Sequence, residues 1–321
     1  MALSNMAVFN EYVQSATIET LAQMVDKFNA ASRNAIRLTT TGFDGDFLQE
    51  SMWASIHSAR RRVDRYASNT SASPTALSQL QHNTVKVAGG FGPILFEPSQ
   101  LTWVQKPTAE GIEVISRNLA EAMMQDMLNT AIAAAVAAIE AQGAATTYDT
   151  GTGPISYRDI NQAHKKFGDH SSLIVANVMD GATFHDLIDL NLANAERLFM
   201  AQGVQVVDIL GKVIVVTDAP ALRETGTGAD AKVLGLVTDG VLVHDAGDLI
   251  TNVETTNGNQ RIETTFQADY TYGLGLKGYA WDVGNGGKSP TDAELTTGSN
   301  WDKIATSIKH TCGVLAIGSA V

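Results

Sequence analysis

The sequence predicts an α+β protein hung on one long helix, and three observations carry that prediction. Thr108 to Gly143 is almost wholly Ala, Glu, Met, Leu and other good helix formers, opened by Pro107 and closed by Gly143. At 1.5 Å per residue it makes a rod of about 50 Å, long for a globular domain. Short apolar runs, Ser172 to Val178 and Lys212 to Val216 among them, alternate with helical or turn-rich stretches after the rod. A long region before it contains a Ser/Thr/Asn/Gln-rich stretch and does not look like an independent domain.

The rod has two faces. Ile112, Ile115, Leu119, Met123 and Met127 step by three and four along one side, and Leu128, Ile132, Val136 and Ile139 along roughly the opposite side. No charge occurs between Asp126 and Glu140, so the alanine-rich end is expected to be buried nearly all round. That uncharged run is too short for a bilayer and contains Asn129 and Thr130, which argues against a membrane span.

Before the rod, residues 1–40 read as an N-terminal arm with a helical pattern at Ile18, Leu21, Met24, Val25 and Phe28. Residues 41–105 read as an extended loop and its return strand. GDFLQESMWASIHSARRRVDRY is helical or extended, and SNTSASPTALSQLQHNT is the composition of a projecting loop. VKVAGGFGPILFEPSQLTWV returns as a strand whose Gly and Pro interruptions suit an edge or a bulge. A loop this long in a compact domain implies a task outside its own subunit. The rod and its ends occupy residues 106–145.

Beyond it, residues 146–247 form a second unit. Ser156 with Asp159 makes a capping box for a helix stopping at Gly168. A buried strand Ser172 to Val178 follows, then a helix capped by Asp180 and ending at Gly203. VQVVDILGKVIVV gives two strands broken at Gly211. Asp239-Gly240 and Asn257-Gly258 mark turns between strands, and residues 248–282 end in a long strand. Residues 283–321 are a C-terminal extension with a short helix near Asp302 to Ile308 and a closing strand GVLAIG.

Composition narrows the function classes. The chain has 321 residues, 44% of them hydrophobic, which excludes disorder throughout. One cysteine, Cys312, leaves no disulfide framework or cysteine cluster and suits reducing cytoplasm, and no signal peptide is visible. The net charge of −12 argues against dedicated nucleic-acid binding. Residues 1–106 are near neutral, with 9 Lys/Arg against 8 Asp/Glu, whereas residues 107–321 carry 13 against 26. Arg60, Arg61, Arg62 and Arg65 form a tight basic cluster, expected to pair with acids of a neighbouring subunit rather than with packaged polyanion.

The chemical motifs dissolve on inspection. Gly273, Gly275 and Gly278 match the spacing of a dinucleotide fingerprint, but the following YAWD is strand-like where a helix is needed. Gly287-Lys288-Ser289 lacks the first glycine of a phosphate loop, since Asp282 stands there, and Pro290 blocks the helix. His185-Asp186 and His244-Asp245 lack metal-ligand spacing. Cys312, among Val314, Leu315 and Ile317, reads as a structural thiol. No catalytic residue, cofactor or metal site is assigned.

The order of parts resembles the major capsid proteins of tailed bacteriophages, whose Hong-Kong-type fold is shared with encapsulin shells. VKVAGGFGPILFEPSQLTWV looks like the strand returning from that family's E-loop, and SLIVANVMDGATFHDLIDL like the strand and helix opening its A-domain. ILGKVIVVTDAPAL is similar to the A-domain's continuation, and IETTFQADYTYGLGLKGYAWD to its last long strand. The likeness covers roughly residues 20–282, and no single motif carries it alone.

The resemblance implies a non-enzymatic shell protein that self-assembles as pentamers and hexamers around a phage genome, made in the bacterial host cytoplasm and residing in the virion. It implies an N-arm, an E-loop over the adjacent subunit, a P-domain with the spine helix, and an A-domain. Arm and loop are then expected to have few partners in their own chain. Inter-subunit contact candidates are Arg60, Arg61, Arg62, Arg65, Phe91, Phe96 and Trp103. Implied partners are a separate scaffolding protein, a portal, cement protein and packaged DNA held non-specifically. No lysine occurs between Asp46 and Val85, so the covalent cross-link of some members is not expected. An encapsulin-type compartment shell and an α+β enzyme with an unrecognised site are the alternatives.

Overall fold

The computed structural model describes residues 3–40, 42, 45–53, 60–68, 71, 74, 76, 79–96, 109–151, 153–198, 211–224, 226, 229–245, 247–256 and 263–320. The helices are α1 (Leu3–Ala31), α2 (Ala109–Glu140), α3 (Tyr157–Lys165), α4 (Gly181–Leu198) and the short α5 (Val283–Gly286) and α6 (Asp292–Leu295). The strands are β1 (Ile36–Thr39), β2 (Phe47–Trp53), β3 (Gln79–Leu95), β4 (Thr147–Asp149), β5 (Ile174–Met179), β6 (Val213–Val216) and β7 (Asp230–Val237). They continue with β8 (Val241–Asp245), β9 (Ile250–Thr256), β10 (Glu263–Leu276), β11 (Tyr279–Trp281), β12 (Trp301–Lys303) and β13 (Gly313–Ser319).

The spine helix α2 behaves as its two-faced pattern requires. Leu119, Met123 and Met127 are buried in its first half. In its last turns Ala131, Ile132, Ala134, Ala135, Val136, Ala138 and Ile139 are all buried. Alanine there lets neighbouring backbone approach. A Cβ built on Gly298 would lie 2.6 Å from the Ala137 carbonyl oxygen. By length and composition alone, Glu113–Glu140 would suffice to cross a membrane, but half of its apolar window is already buried inside the chain.

The N-terminal segment differs from the expected arm. It is one 29-residue helix lying along α2, and Leu21 and Val25 join Met123 and Met127 in one core. Gln14 reaches on to the Leu249 carbonyl. The expectation of few partners within its own chain is therefore corrected from residue 13 onward. The cause is the periodic stripe through Leu21 and Val25, which finds a complementary face on α2.

Two sheets flank the spine. One runs β1-β8-β10-β3-β2, with β9 also on β10, and the other β4-β13-β7-β5-β6. Residues 47–53, open between helix and strand in the sequence, are a strand. β3 spans two environments: Val85 to Leu95 pair with β10, while Gln79 to Val85 pair with β2. The β2–β3 hairpin thus carries the chain past the end of β10's ladder.

Local signals hold where they are described. Ser156 N donates to Asp159 Oδ2 at 2.9 Å, completing the capping box, and Thr183 N donates to Asp180 at the start of α4. Asp239 takes a positive φ of 54° and Gly240 N bonds Val237 O, the tight turn joining β7 to β8. The first strand expected before Gly211 and the turn at Asn257-Gly258 lie outside the described residues.

The C-terminal segment also differs. The helix expected near 302–308 is absent: Trp301 to Lys303 form β12 against β11, followed by bends and a short 3-10 turn at Ile308–His310. Trp301 meets Trp281 edge-on at 5.0 Å, and burying two indoles outweighs weak local helix preference. The closing strand β13 lies inside the five-stranded sheet, pairing with β7 on one side and β4 on the other. Its contact is close: a Cβ on Gly313 would fall 2.1 Å from the Gly235 carbonyl oxygen.

Candidate assembly surface

The β2–β3 hairpin leads to the basic cluster. Arg60, Arg61, Arg62 and Arg65 are all exposed and form no ion pair among the described residues. Asp64 Oδ1 accepts a hydrogen bond from Tyr66 N at 2.9 Å, a tight local turn. Val63 is 66% exposed and Tyr66 is 100% exposed, so two large apolar bodies stand among the guanidinium groups without packing. At its base the loop is tied to the C-terminal block. Lys288 Nζ bonds Asp46 Oδ2 at 2.7 Å and holds that carboxyl below its usual range, and Asn83 donates to Trp281 O.

The other candidates fall elsewhere. Phe91 is half-buried and stacks on Tyr270 at 5.5 Å; Phe96 is half-buried, 6.5 Å from Phe266 and packed beside Val13. The structure therefore places both rings on their own subunit, apart from the arginines. Trp103 lies outside the described residues.

A groove that sequence reading did not isolate runs between α1 and the first turns of α2. It is lined by Tyr12, Ala16, Glu19, Thr20 and Gln23 on α1 and by Glu113 and Ser116 on α2, with a volume of about 540 Å³. The α1 residues share one helical face, but the groove joins positions about a hundred apart in the chain, which no local period reveals. The polar floor is satisfied internally: Thr20 Oγ1 bonds Ala16 O and Ser116 Oγ bonds Glu113 O.

Titratable groups in the interior serve the fold. His164 is buried, its Nε2 2.9 Å from Asn177 Oδ1, and burial lowers its pKa to about 4. Lys212 donates to Ser171 O at 2.8 Å, and burial lowers it to about 8. Burial lifts the Cys312 thiol to about 12, consistent with a packed, unreactive side chain. Tyr270 donates to Asp126 Oδ2 at 2.6 Å beneath the spine, and desolvation raises the phenol well above its ordinary value. Gly273 and Gly275 lie within β10 and Gly278 in the turn to β11, so no helix follows to receive a pyrophosphate. Among the described residues no three His, Cys, Asp or Glu side chains are grouped to hold a metal.

The chain thus combines a spine helix flanked by two sheets with a hairpin that leads to an exposed basic segment. Residues 5–315 match the model of the Gp13-like family, described as major capsid protein 13-like, and the chain belongs to that family. It is a major capsid protein of the phage head shell, and the encapsulin alternative is not favoured. The match runs through β12 into β13, well beyond the 20–282 span of the sequence resemblance.

The fold agrees. The chain is similar to the structure titled "Cyanophage Pam1 capsid asymmetric unit", with a TM-score of 0.53 and 12% identity over 89% of this chain and 88% of that one. A structure from Mycobacterium phage Bobi gives 0.48 and 13%, covering 91% of each chain. The acid-stable capsid of Helicobacter pylori bacteriophage KHP30 gives 0.46 and 10%, over 91% of this chain and 89% of that one. No curated protein matches the sequence.

Proposed function

We propose that copies of this chain assemble as pentamers and hexamers into a closed icosahedral head, with the hairpin at 41–105 reaching across each subunit boundary. In this reading residues 1–40 form the N-terminal arm, 106–145 the spine of a P-domain and 146–247 an A-domain. Residues 248–282 are the strands returning to the P-domain, and residues 283–321 the C-terminal extension. The observation that carries the reading is Tyr66, fully exposed beside a largely bare Val63 and four arginines that form no ion pair among the described residues. An isolated subunit gains nothing from holding such a segment in water, whereas a neighbour covers it.

The shell encloses DNA held non-specifically, since the chain's net charge of −12 limits tight phosphate binding on the wall. It forms in the bacterial host cytoplasm with a separate scaffolding protein, a portal and cement protein, and has no catalytic task. Without an extended-loop lysine before Lys86, the contacts are non-covalent.

Negative-stain microscopy of the protein expressed alone and with its phage's scaffolding protein tests this reading. Shells, tubes or rings of five and six are expected. A persistent monomer under both conditions overturns it. Deleting residues 68–78, which leaves β2 and β3 intact, is expected to give a folded subunit that does not assemble.

A further inference from the structure

The basic segment needs a receiver, and the chain offers a matching surface. We propose that the groove between α1 and the start of α2 receives segment 60–66 of a second copy, with Tyr66 and Val63 against Tyr12 and Ala16 and the arginines on Glu19 and Glu113. This rests on the reading that the hairpin crosses to a neighbour, and it names where it lands.

Three observations select this receiver. The first is charge: Glu19 and Glu113 stand on opposite walls of the groove, and neither forms an ion pair among the described residues. A guanidinium meets a carboxylate through two parallel N–H bonds, so several closely spaced arginines span two such walls. The second is shape and polarity. Tyr12, 60% exposed, and Ala16 supply apolar surface between the two acids, as Val63 and Tyr66 do between the arginines. Tyrosine with arginine is the pairing enriched where interfaces concentrate their energy. The third is availability. The Thr20 and Ser116 hydroxyls bond within their own helices, so neither competes for the incoming segment.

The rival acidic surface is already occupied from within. Asp248 accepts from Thr271 N and Oγ1, Asp269 from Gln267 Nε2, and Asp245 from Gly247 N. Of these, the Asp248–Thr271 bonds hold β10 to the β8–β9 bend, and an arginine drawn to Asp248 would compete with them.

Cysteine cross-linking decides the matter, because the one natural thiol, Cys312, is fully buried and silent. Ala67→Cys, which keeps the Tyr66 ring, and Ala16→Cys are placed together in the full chain, with Ala67→Cys and Asp248→Cys as the rival pair. Assemblies are oxidised and run under denaturing, non-reducing conditions. The inference expects a ladder of covalent multimers from the 67–16 pair at least tenfold stronger than from the 67–248 pair. Assemblies without a 67–16 ladder, a stronger 67–248 ladder, or a link confined to single chains each overturn it.

Charge exchange gives a second readout. Glu19→Lys with Glu113→Lys is expected to cut assembly yield at least tenfold, and Arg61→Glu with Arg62→Glu in the same chain to restore most of it. Absence of rescue while the subunit melts normally counts against the pairing. If the unaltered chain forms no oligomer in any condition, the assembly reading itself falls; if it assembles with no 67–16 link, only the landing site falls.

Discussion

The last turns of the spine helix and the segment 60–66 treat the same resource, apolar surface, in opposite ways. Around Ile139 the chain closes on itself: alanine on every side, sheets against both faces, no charge from Met127 through Ile139. Around Tyr66 it leaves an aromatic ring in solvent and four cations that form no ion pair among the described residues. In the assembly proposed above, the first region specifies the subunit and the second its neighbours. Stability and assembly should therefore respond to different substitutions.

The largest effect on stability is expected inside the first region. Ile139→Ala removes a side chain that is 0% exposed and leaves a cavity beside alanines whose methyl groups cannot swing into it. The expected loss is about 2–5 kcal/mol, read from urea unfolding of the unassembled subunit. A loss below about 1 kcal/mol would show the spine's end to be plastic and would blur the contrast.

The next effect is pH-linked. His164 is neutral in its site between α3 and the second sheet, with Asn177 as its hydrogen-bond partner and Lys212 as the adjacent cation. Its pKa is lowered from 6.5 to about 4 in the fold, so between these values the unfolded chain binds the extra proton. Stability is full above about pH 6.5 and declines towards pH 4, with a total on the order of 3 kcal/mol. His164→Asn should flatten this part of a melting-temperature profile against pH, while lowering stability at neutral pH. An unchanged slope would assign the acid sensitivity to carboxylates instead.

How far the sequence alone reached follows the same division. The spine helix, the Ser156–Asp159 box and the Asp239-Gly240 turn were legible because each is written in neighbouring residues. The place of β13 was not: its pairing with β7 spans about eighty residues of intervening chain, and alternation within GVLAIG says nothing about a partner. The N-terminal helix was half-read, since its apolar period is local but the face of α2 that binds it is not. At the assembly surface the arginines stood out as a run, whereas the groove exists only once α1 lies on α2. Phe91 and Phe96 looked alike in the return strand, yet their rings face Tyr270 and Phe266 of the same chain.

A smaller effect is expected where the spine meets the long strand. Tyr270 donates to Asp126 at 2.6 Å, and Tyr270→Phe removes that donor from a partly buried carboxylate that Tyr272 also faces. A cost of about 2 kcal/mol is expected, measured by denaturant unfolding. If Tyr270→Phe proves neutral, the bond is dispensable and stacking on Phe91 and Tyr272 carries the contact.

The smallest expected change in stability is the most discriminating. Tyr66→Ala removes a ring that is wholly in solvent in the subunit, so neither melting temperature nor unfolding midpoint should move. Assembly should nevertheless fail or fall at least tenfold, because a fully desolvated aromatic is among the larger single contributions to an interface. Sedimentation of the variant beside the unaltered chain reads the assembly, and calorimetry of the unassembled fraction reads the fold. A variant that assembles normally would mean that the exposed ring is spare surface, and the division between a region that folds and a region that joins would lose its strongest support. A variant that melts early would mean that Tyr66 packs on its own subunit in solution, which would remove the premise that the segment waits for a neighbour.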